Sequence, residues 1–170
     1  MFFIRFNPSM EEIDPKKRPH FFHISLKVIL ENEKGEILGL KCKDEKGPLD
    51  GYYDFPGGRI DSNELDVAYE DIIKREMIEE IGKDAIYEGK FLCPVSTGKF
   101  KYFSHKLQKD NCIFMLFFKA KYLGGNILVS DEHKGFEWLD LKTDPPEKYF
   151  TLGFLDGIKE YLKNKDGDLE

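Results

Sequence analysis

The sequence predicts a single α/β domain in which a mixed β-sheet lies between helices. Two patterns predict it: short apolar, strand-like stretches recur along the chain, and two longer stretches have apolar residues at helical spacing. The 170 residues are 41% hydrophobic and include 15 Phe and 8 Tyr, which is enough for one core but hardly for two. We therefore expect one domain over residues 1–170, with an N-terminal extension over 1–19 and a polar tail over 164–170.

The individual strands follow from apolar runs that are bounded by turn residues. A hairpin turn is expected at residues 32–35, whose sequence Asn-Glu-Lys-Gly separates two alternating stretches. Residues 96–111 are expected to form a long hairpin loop, and residues 149–163 a helix. The predicted strands cover residues 20–31, 36–43, 53–55, 85–93, 112–122 and 135–139.

The most informative helix ends just before Gly82 and carries Glu76, Glu79 and Glu80 on one side. Like charges at this spacing repel, and two of them lie at the negative end of the helix dipole, so each effect costs about 0.3–1 kcal/mol. No basic residue nearby is expected to neutralise all three. A bound divalent cation is the simplest compensation, and a solvated acidic face is the alternative.

The other positions of this helix indicate that it is packed on two sides. Tyr69 and Ile72 precede the acids on their own stripe, while Ile73, Met77 and Ile81 form a second apolar line. The carboxylates are therefore expected to point into a crevice. Arg75 lies one turn before Glu79 and is expected to pair with it and fix its orientation.

A Pro-Gly-Gly turn follows the short strand at 53–55, and glycines at 57 and 58 let backbone approach a ligand closely. Strand, Pro-Gly-Gly turn, loop and acidic helix together resemble the Nudix hydrolase family. Glu64 follows Gly58 after five residues, and residues 75–82, Arg-Glu-Met-Ile-Glu-Glu-Ile-Gly, match the second half of the family signature. The resemblance implies a Nudix-like α/β/α sandwich.

The chain departs from that signature in the spacing between its halves. Ten residues separate Glu64 from Arg75, about three more than in the family signature, or roughly one helical turn. Counted back from Arg75, the acidic position of the signature falls on Val67. The role of Glu64 is therefore open, and Asp61 or Asp66 are the alternatives.

The resemblance also implies a chemistry: hydrolysis of a diphosphate bond in a nucleoside diphosphate linked to another moiety, with Mg²⁺ or Mn²⁺ as cofactor. Either Glu79 or Glu132 is expected to be the catalytic base. Asp131 and Glu137, which lie close to Glu132 in the sequence, are weaker candidates. The implied metal ligands are the Gly57 carbonyl, Glu76, Glu79 and Glu80.

The sequence gives few indications of which residues contact the substrate. Gly58 and Arg59 follow the turn, and Lys99 and Lys101 lie among aromatic residues that could hold phosphate and stack a base. A hairpin loop whose lysines are merely solvated would have the same sequence pattern, and this interpretation is slightly favoured over substrate contact. Phe22 and Tyr52 are more typical of a core than of a pocket. The histidines at 20, 23 and 133 show no ligand spacing and are left out of the metal site.

Charge and composition exclude several classes of protein. The formal net charge of −6 argues against a protein that holds duplex nucleic acid, and no apolar run is long enough to span a membrane. The three cysteines are odd in number and widely spaced, which indicates reduced thiols and a cytoplasmic setting. A small nucleotide is the expected partner. The oligomeric state is open, with a homodimer as one option.

Two other functions remain open at this point. A Nudix-like module could bind a nucleotide without cleaving it, although such a module has little use for three clustered carboxylates. A diphosphate isomerase of the same fold is less favoured, since it would need a cysteine such as Cys93 beside the diphosphate.

Overall fold

A computed structural model describes residues 21–45, 47–104 and 108–167. The predicted N-terminal extension lies outside these ranges. The strands and helices, in chain order, are β1 (Phe22–Glu31), β2 (Ile37–Cys42), β3 (Tyr53–Asp54), α1 (Tyr69–Ile81), β4 (Ala85–Gly89), β5 (Ser96–Ser104), β6 (Lys109–Gly125), β7 (His133–Leu139), a 3₁₀ turn (Pro146–Lys148) and α2 (Leu152–Gly167).

These strands form one mixed sheet, as the sequence predicts. Its main path runs β3-β2-β1-β6-β4, while β5 pairs with β6 and β7 pairs with β2. The central pair, β1 and β6, is parallel, with Phe22 opposite Cys112 and Glu31 opposite Lys121. The other pairings are antiparallel. Strand β1 lies between β2 and β6, and its two faces join the cores formed with α1 and α2, which explains the apolar residues at 26 and 28–30.

Helices cover the two faces of the sheet, which confirms the predicted layering. Alternate residues of β1 point to opposite faces, so Leu26 and Val28 join a core with α1 whereas Ile29 joins a core with α2. Helix α1 contributes Ile72, Ile73, Met77 and Ile81 to the first core. Helix α2 contributes Phe154, Ile158 and Tyr161 to the second. Each such fully buried side chain stabilises the fold by roughly 1.5–3 kcal/mol.

The prediction of a long loop at 96–111 is wrong for most of its length. Residues 96–104 form strand β5, which pairs with the first half of β6 from Ser96 opposite Phe117 onward. Lysines and aromatic residues alternate here, and this period of two belongs to a strand with one solvated face. The lysines were misleading because they cover the solvated side. Residues 105–107 lie outside the described ranges.

Two other predicted boundaries also change. Strand β4 ends at Gly89 rather than 93, because Phe91 turns into the core beside α1. The predicted polar tail at 164 begins inside α2, which runs to Gly167. Within the described residues, neither helix is long and apolar enough to cross a membrane.

Candidate active site

One cavity of about 1110 Å³ collects most of the residues singled out in the sequence. The acidic face of α1 forms one wall, the Pro-Gly-Gly turn forms the floor, and aromatic residues of β5 form the opposite wall. The lining carboxylates include Glu76, Glu79, Glu80, Asp131 and Glu132. The expectation of a crevice beside the acidic helix is therefore confirmed.

The Pro-Gly-Gly turn is held against strand β1 by backbone hydrogen bonds. The Leu26 N–H donates to the Gly58 carbonyl at 2.8 Å, and the Val28 N–H donates to the Pro56 carbonyl at 2.8 Å. Gly57 has φ +121°, and a Cβ there would lie 2.1 Å from the Leu26 carbonyl oxygen. A Cβ at Gly58 would lie 2.2 Å from a carboxylate oxygen of Glu76. Gly57 therefore requires glycine for its close approach to the backbone of β1, whereas a side chain at Gly58 would displace the Glu76 carboxylate.

Glu80 is the most tightly held carboxylate of the cavity. It is 8% exposed, accepts a hydrogen bond from the Gly57 N–H at 2.7 Å, and lies 3.2 Å from Nε2 of His133. Burial raises the pKa of Glu80, but Lys27, His133 and the Gly57 hydrogen bond lower it more, so this carboxyl has a pKa below 4.5. Glu80 is therefore ionised at neutral pH.

Glu76 lies beside it in a different environment. The residue is 9% exposed, and its Oε1 lies 2.9 Å from Nη1 of Arg75. Burial raises the pKa of Glu76, Arg75 lowers it, and repulsion from Glu80 and Glu79 raises it again, so the net pKa is above 4.5. Burial is the largest cause of this rise, and the ion pair with Arg75 offsets it only in part.

Glu79 has a third environment. Its side chain is 57% exposed and reaches the cavity from the mouth, with Oε2 3.1 Å from Nη1 of Arg75. The predicted pairing with Arg75 is confirmed. The expectation that all three acids point into a crevice holds for the two buried ones, while the third is at its entrance.

Arg75 makes its closest contacts with Glu64, in spite of the altered spacing between them. Its Nε lies 2.7 Å from Oε1 and its Nη2 2.9 Å from Oε2 of Glu64, a two-pronged ion pair. Glu64 also accepts from the Asp61 N–H at 2.9 Å. The ten intervening residues thus form a loop and the first turns of α1 that bring the pair together. Among the described ion pairs of Arg75, neither Asp61 nor Asp66 takes this place.

The loop before β7 reaches the cavity because its backbone is tied to the end of α1. The Ser130 N–H donates to the Glu80 carbonyl at 3.1 Å, and Asp131 and Glu132 then line the cavity. Glu137 faces elsewhere, with its carboxylate on Lys41 and on the Tyr53 hydroxyl at 2.6 Å. It therefore drops out as a weaker candidate for the base.

Sequence reasoning missed two groups of this site, His133 and Lys27. His133 was set aside for want of ligand spacing, but the loop folds its ring onto Glu80. Lys27 lies in the centre of β1 and is 6% exposed, yet its ammonium donates to Asp54 Oδ2 at 2.9 Å and to the Gly57 carbonyl at 2.6 Å. The available signal was a single lysine inside the stretch 26–30, which is otherwise apolar.

The cations of the site agree with one expectation. No basic residue nearby was expected to neutralise all three acids, and Arg75 contacts only Glu76 and Glu79, while Lys27 and His133 approach Glu80. Among the described residues, no three His, Cys, Asp or Glu side chains converge on one metal position. The donors present are nonetheless oxygens, since Gly57, Glu76, Glu79 and Glu80 line the same cavity. This chemistry fits a hard divalent cation.

The opposite wall of the cavity is aromatic. Phe100, Tyr102 and Phe103 line it, and the Arg59 guanidinium donates to the Tyr102 hydroxyl at 3.3 Å. Lys99 and Lys101 are not among the lining residues, and Lys101 pairs with Asp110 at 2.8 Å. Whether these lysines contact a substrate stays a prediction, and the geometry favours Arg59.

Three other residues named in the sequence also lie away from the cavity lining. Phe22 and Tyr52 do not line it, and Phe22 packs edge-on against Phe114. Cys93 is exposed and does not line the cavity either. The site therefore offers no cysteine at the position that an isomerase would need.

Known structures share this fold. A MutT protein from Methanosarcina mazei Go1 is 22% identical, with a TM-score of 0.65 over 85% of this chain and 95% of that one. An ADP-ribose pyrophosphatase from Streptococcus suis 89-1591 is 20% identical, with a TM-score of 0.54 over 84% and 91% of the two chains. An Ap4A hydrolase from C. elegans is 16% identical, with a TM-score of 0.59 over 85% and 98%.

The sequence itself carries the family assignment. No curated protein sequence is similar enough to this chain to count as a relative. The profile of the NUDIX domain, however, matches residues 21–152, which is most of the chain and includes the whole acidic cavity wall. With the Pro-Gly-Gly turn and the acidic helix α1 placed as described, the chain belongs to the Nudix family.

Proposed function

We propose that this protein is a metal-dependent hydrolase that cleaves the diphosphate bond of a nucleoside diphosphate linked to another moiety. The observation that carries the proposal is the pairing of two buried carboxylates, Glu76 and Glu80, with the backbone of the Pro-Gly-Gly turn at one wall of a large cavity. Burying two acids this close is unfavourable unless the site serves a cationic ligand. The family assignment supports the same reaction class.

The Gly57 carbonyl, Glu76, Glu79 and Glu80 are the proposed ligands of Mg²⁺ or Mn²⁺. When bound, such an ion neutralises the diphosphate and polarises the phosphorus toward a water nucleophile. The remaining protein groups orient these ligands. Arg75 holds Glu76 and Glu79 while Glu64 holds Arg75, and the Gly57 N–H and His133 hold Glu80.

The protein must also accept a proton during hydrolysis. Water oxygen bonds to phosphorus, the bond from phosphorus to the bridging oxygen breaks, and the proton of the water passes to a carboxylate. Glu79 and Glu132 are the two candidates, since both are exposed carboxylates that line the cavity. Glu132→Gln and Glu79→Gln distinguish them, because only removal of the base should abolish the acidic limb of the kcat pH profile.

The aromatic wall is the proposed site for the nucleotide. Phe100, Tyr102 and Phe103 offer faces on which a base or sugar can stack, and Arg59 can donate to phosphate oxygens. The structural neighbours are described as acting on ADP-ribose and on Ap4A, so both belong in a substrate panel. The net charge of −6 argues against duplex nucleic acid as a partner. A cytoplasmic setting and a homodimer are further proposals; fractionation and light scattering would test them.

The proposal is tested with a panel of nucleotide sugars, dinucleotides and nucleoside triphosphates, each with and without Mg²⁺, with products identified by mass. We expect a nucleotide and a phosphorylated second product from at least one substrate, only when the metal is present. Absence of turnover on every compound, with nucleotide still bound, would favour a module that binds without cleaving.

One observation favours that second candidate. The Lys27 ammonium donates to the Gly57 carbonyl, which is a proposed metal ligand. A cation built into the protein at this point is what a binding module without metal would use. The panel and the metal-binding measurement below separate the two functions.

A further inference from the structure

Lys27 has the surroundings of a bound cation rather than those of a core side chain. Its ammonium donates to Asp54 Oδ2 at 2.9 Å, to the Phe55 carbonyl at 3.2 Å and to the Gly57 carbonyl at 2.6 Å. These three oxygens match the three hydrogens of an ammonium group. All three acceptors belong to the segment that leads from β3 into the Pro-Gly-Gly turn.

The charge on Lys27 is maintained in spite of its burial. Its ammonium forms an ion pair with Asp54 at 2.9 Å, and each of its three hydrogens has an oxygen acceptor, an arrangement that favours the charged form. The ammonium of Lys27 lies over the ring of Phe154 of α2, with Nζ 5.9 Å from the ring centroid. The side chain therefore lies on the α2 side of the sheet, and its charged end lines the acidic cavity.

We propose that Lys27 is a resident cation of this site that competes with divalent ions for the Gly57 carbonyl and for the field of Glu80. The inference rests on the proposed function in one respect, namely that the cavity binds a divalent ion at all. It goes beyond that function by assigning to Lys27 a control over how tightly the ion binds.

Two features of the geometry support this competition. The 2.6 Å hydrogen bond from Lys27 engages the Gly57 carbonyl, so a metal ion sharing that oxygen must approach a fixed positive charge. The attraction between Lys27 and the Glu80 carboxylate also lowers the negative potential that a metal would experience there. In return, the lysine supplies charge compensation when no ion is bound, so the buried acids are tolerated without metal.

The test compares Mn²⁺ binding by the full-length wild type, Lys27→Met and Lys27→Met/Asp54→Asn, with Lys121→Met as the control. Met keeps the unbranched shape of the side chain without its charge, and Lys121 is an exposed lysine of β6 outside the acidic cavity. Free Mn²⁺ is counted by electron paramagnetic resonance in the absence of substrate. Thermal unfolding is recorded for each protein in EDTA and in Mn²⁺.

We expect Lys27→Met to bind Mn²⁺ about tenfold more tightly than the wild type, a change in the range seen when groups around a metal site are altered. Its unfolding temperature should fall in EDTA, because Asp54 and Glu80 lose their counter-ion, and should rise further on adding Mn²⁺ than that of the wild type. The double variant carries no unpaired Asp54 charge and should give a smaller rise in affinity. Lys121→Met should bind as the wild type does.

The inference is overturned if the wild type binds Mn²⁺ and neither Lys27 variant binds it more tightly. If Lys27→Met does not fold even with Mn²⁺, the double variant is judged by the same criterion, since it also removes the unpaired charge of Asp54. If none of the proteins binds Mn²⁺, the metal-dependent function itself fails, and the competition fails with it. The two failures are therefore distinguishable.

Discussion

Strand β1 carries two ion clusters, and they differ in how completely their charges are paired. At its end, Glu31 meets Lys165 at 2.7 Å, the Tyr161 hydroxyl at 3.1 Å and Lys119 at 3.6 Å. We call this the Glu31 cluster. Four residues earlier, Lys27 enters the acidic cavity, where Asp54, Glu76, Glu79 and Glu80 share Lys27, Arg75 and the His133 ring, and Glu64 pairs with Arg75 from outside the cavity lining.

The difference is consistent with one cluster serving the fold and the other serving the proposed chemistry. In the Glu31 cluster one carboxylate has more partners than it needs, and helix α2 is tied to β1 by them. In the cavity the carboxylates outnumber the positive groups, and the pKa of Glu76 is raised. An excess of buried charge that the protein leaves uncompensated is unfavourable for folding, so it indicates a site that is completed by a ligand.

Replacing Glu80 by Gln tests the excess of negative charge in the cavity directly. It should reduce turnover more than any other substitution described here. The amide keeps the shape but loses the charge, and several kcal/mol of lost charge stabilisation corresponds to about 100-fold or more in turnover. The loss is measured as turnover of the substrate that the panel identifies. Glu70→Gln, at an exposed acid in the first turn of the same helix, is the matched control and should be fully active. Turnover of Glu80→Gln within a few-fold of wild type would remove Glu80 from the site.

Replacing Gly57 by Ala tests whether the turn can accept a side chain. The backbone at φ +121° is strained for Ala, and the new Cβ overlaps the Leu26 carbonyl. We expect a loss of about 2–4 kcal/mol in the free energy of unfolding, measured in urea. Gly51→Ala has the strain without the overlap, since nothing lies within 4 Å of its Cβ position. It should lose only about 1–2 kcal/mol. Equal losses in the two variants would exclude the overlap as the cause.

Replacing Arg59 by Met tests the aromatic wall of the cavity, where the guanidinium contacts Tyr102. Loss of its guanidinium should raise KM about tenfold, because one charge-assisted hydrogen bond to phosphate is worth about 1.5 kcal/mol. Lys101→Met, on the neighbouring strand but paired with Asp110, should change KM less than about twofold. A larger effect at Lys101 than at Arg59 would restore the sequence-based assignment of the lysines to the substrate.

Replacing Glu31 by Gln tests the paired cluster and should change stability but not turnover. Burial raises the pKa of Glu31, but Lys165, Lys119 and Tyr161 lower it more, to below 4.5. The ion pairs therefore stabilise the fold fully above about pH 5, and that contribution disappears as the pH falls through the lowered pKa. Urea unfolding should show a loss of about 1 kcal/mol at pH 7 and almost none at low pH. A loss that is independent of pH would show that packing, not charge, is responsible.

The sequence alone determined the parts of this protein that local spacing controls. The apolar period of α1, its end at Gly82, the Pro-Gly-Gly turn and the pair of Arg75 and Glu79 lie within short stretches of chain, where geometry fixes which residues are neighbours. The mixed sheet followed from the recurrence of strand-like segments. Strand β5 was missed because lysines on its solvated side hid an alternation that pairing with β6 makes evident.

Only the tertiary structure decided how the charges are compensated. Lys27 meets Asp54 across 27 residues, His133 meets Glu80 across 53, and Glu64 finds Arg75 through a loop of altered length. Periodicity carries no information on such distances, since strand order and loop path decide them. The acids were visible in the sequence because they lie together on one helix. Their partners became visible only when β1, the turn and the loop before β7 were brought to the same cavity.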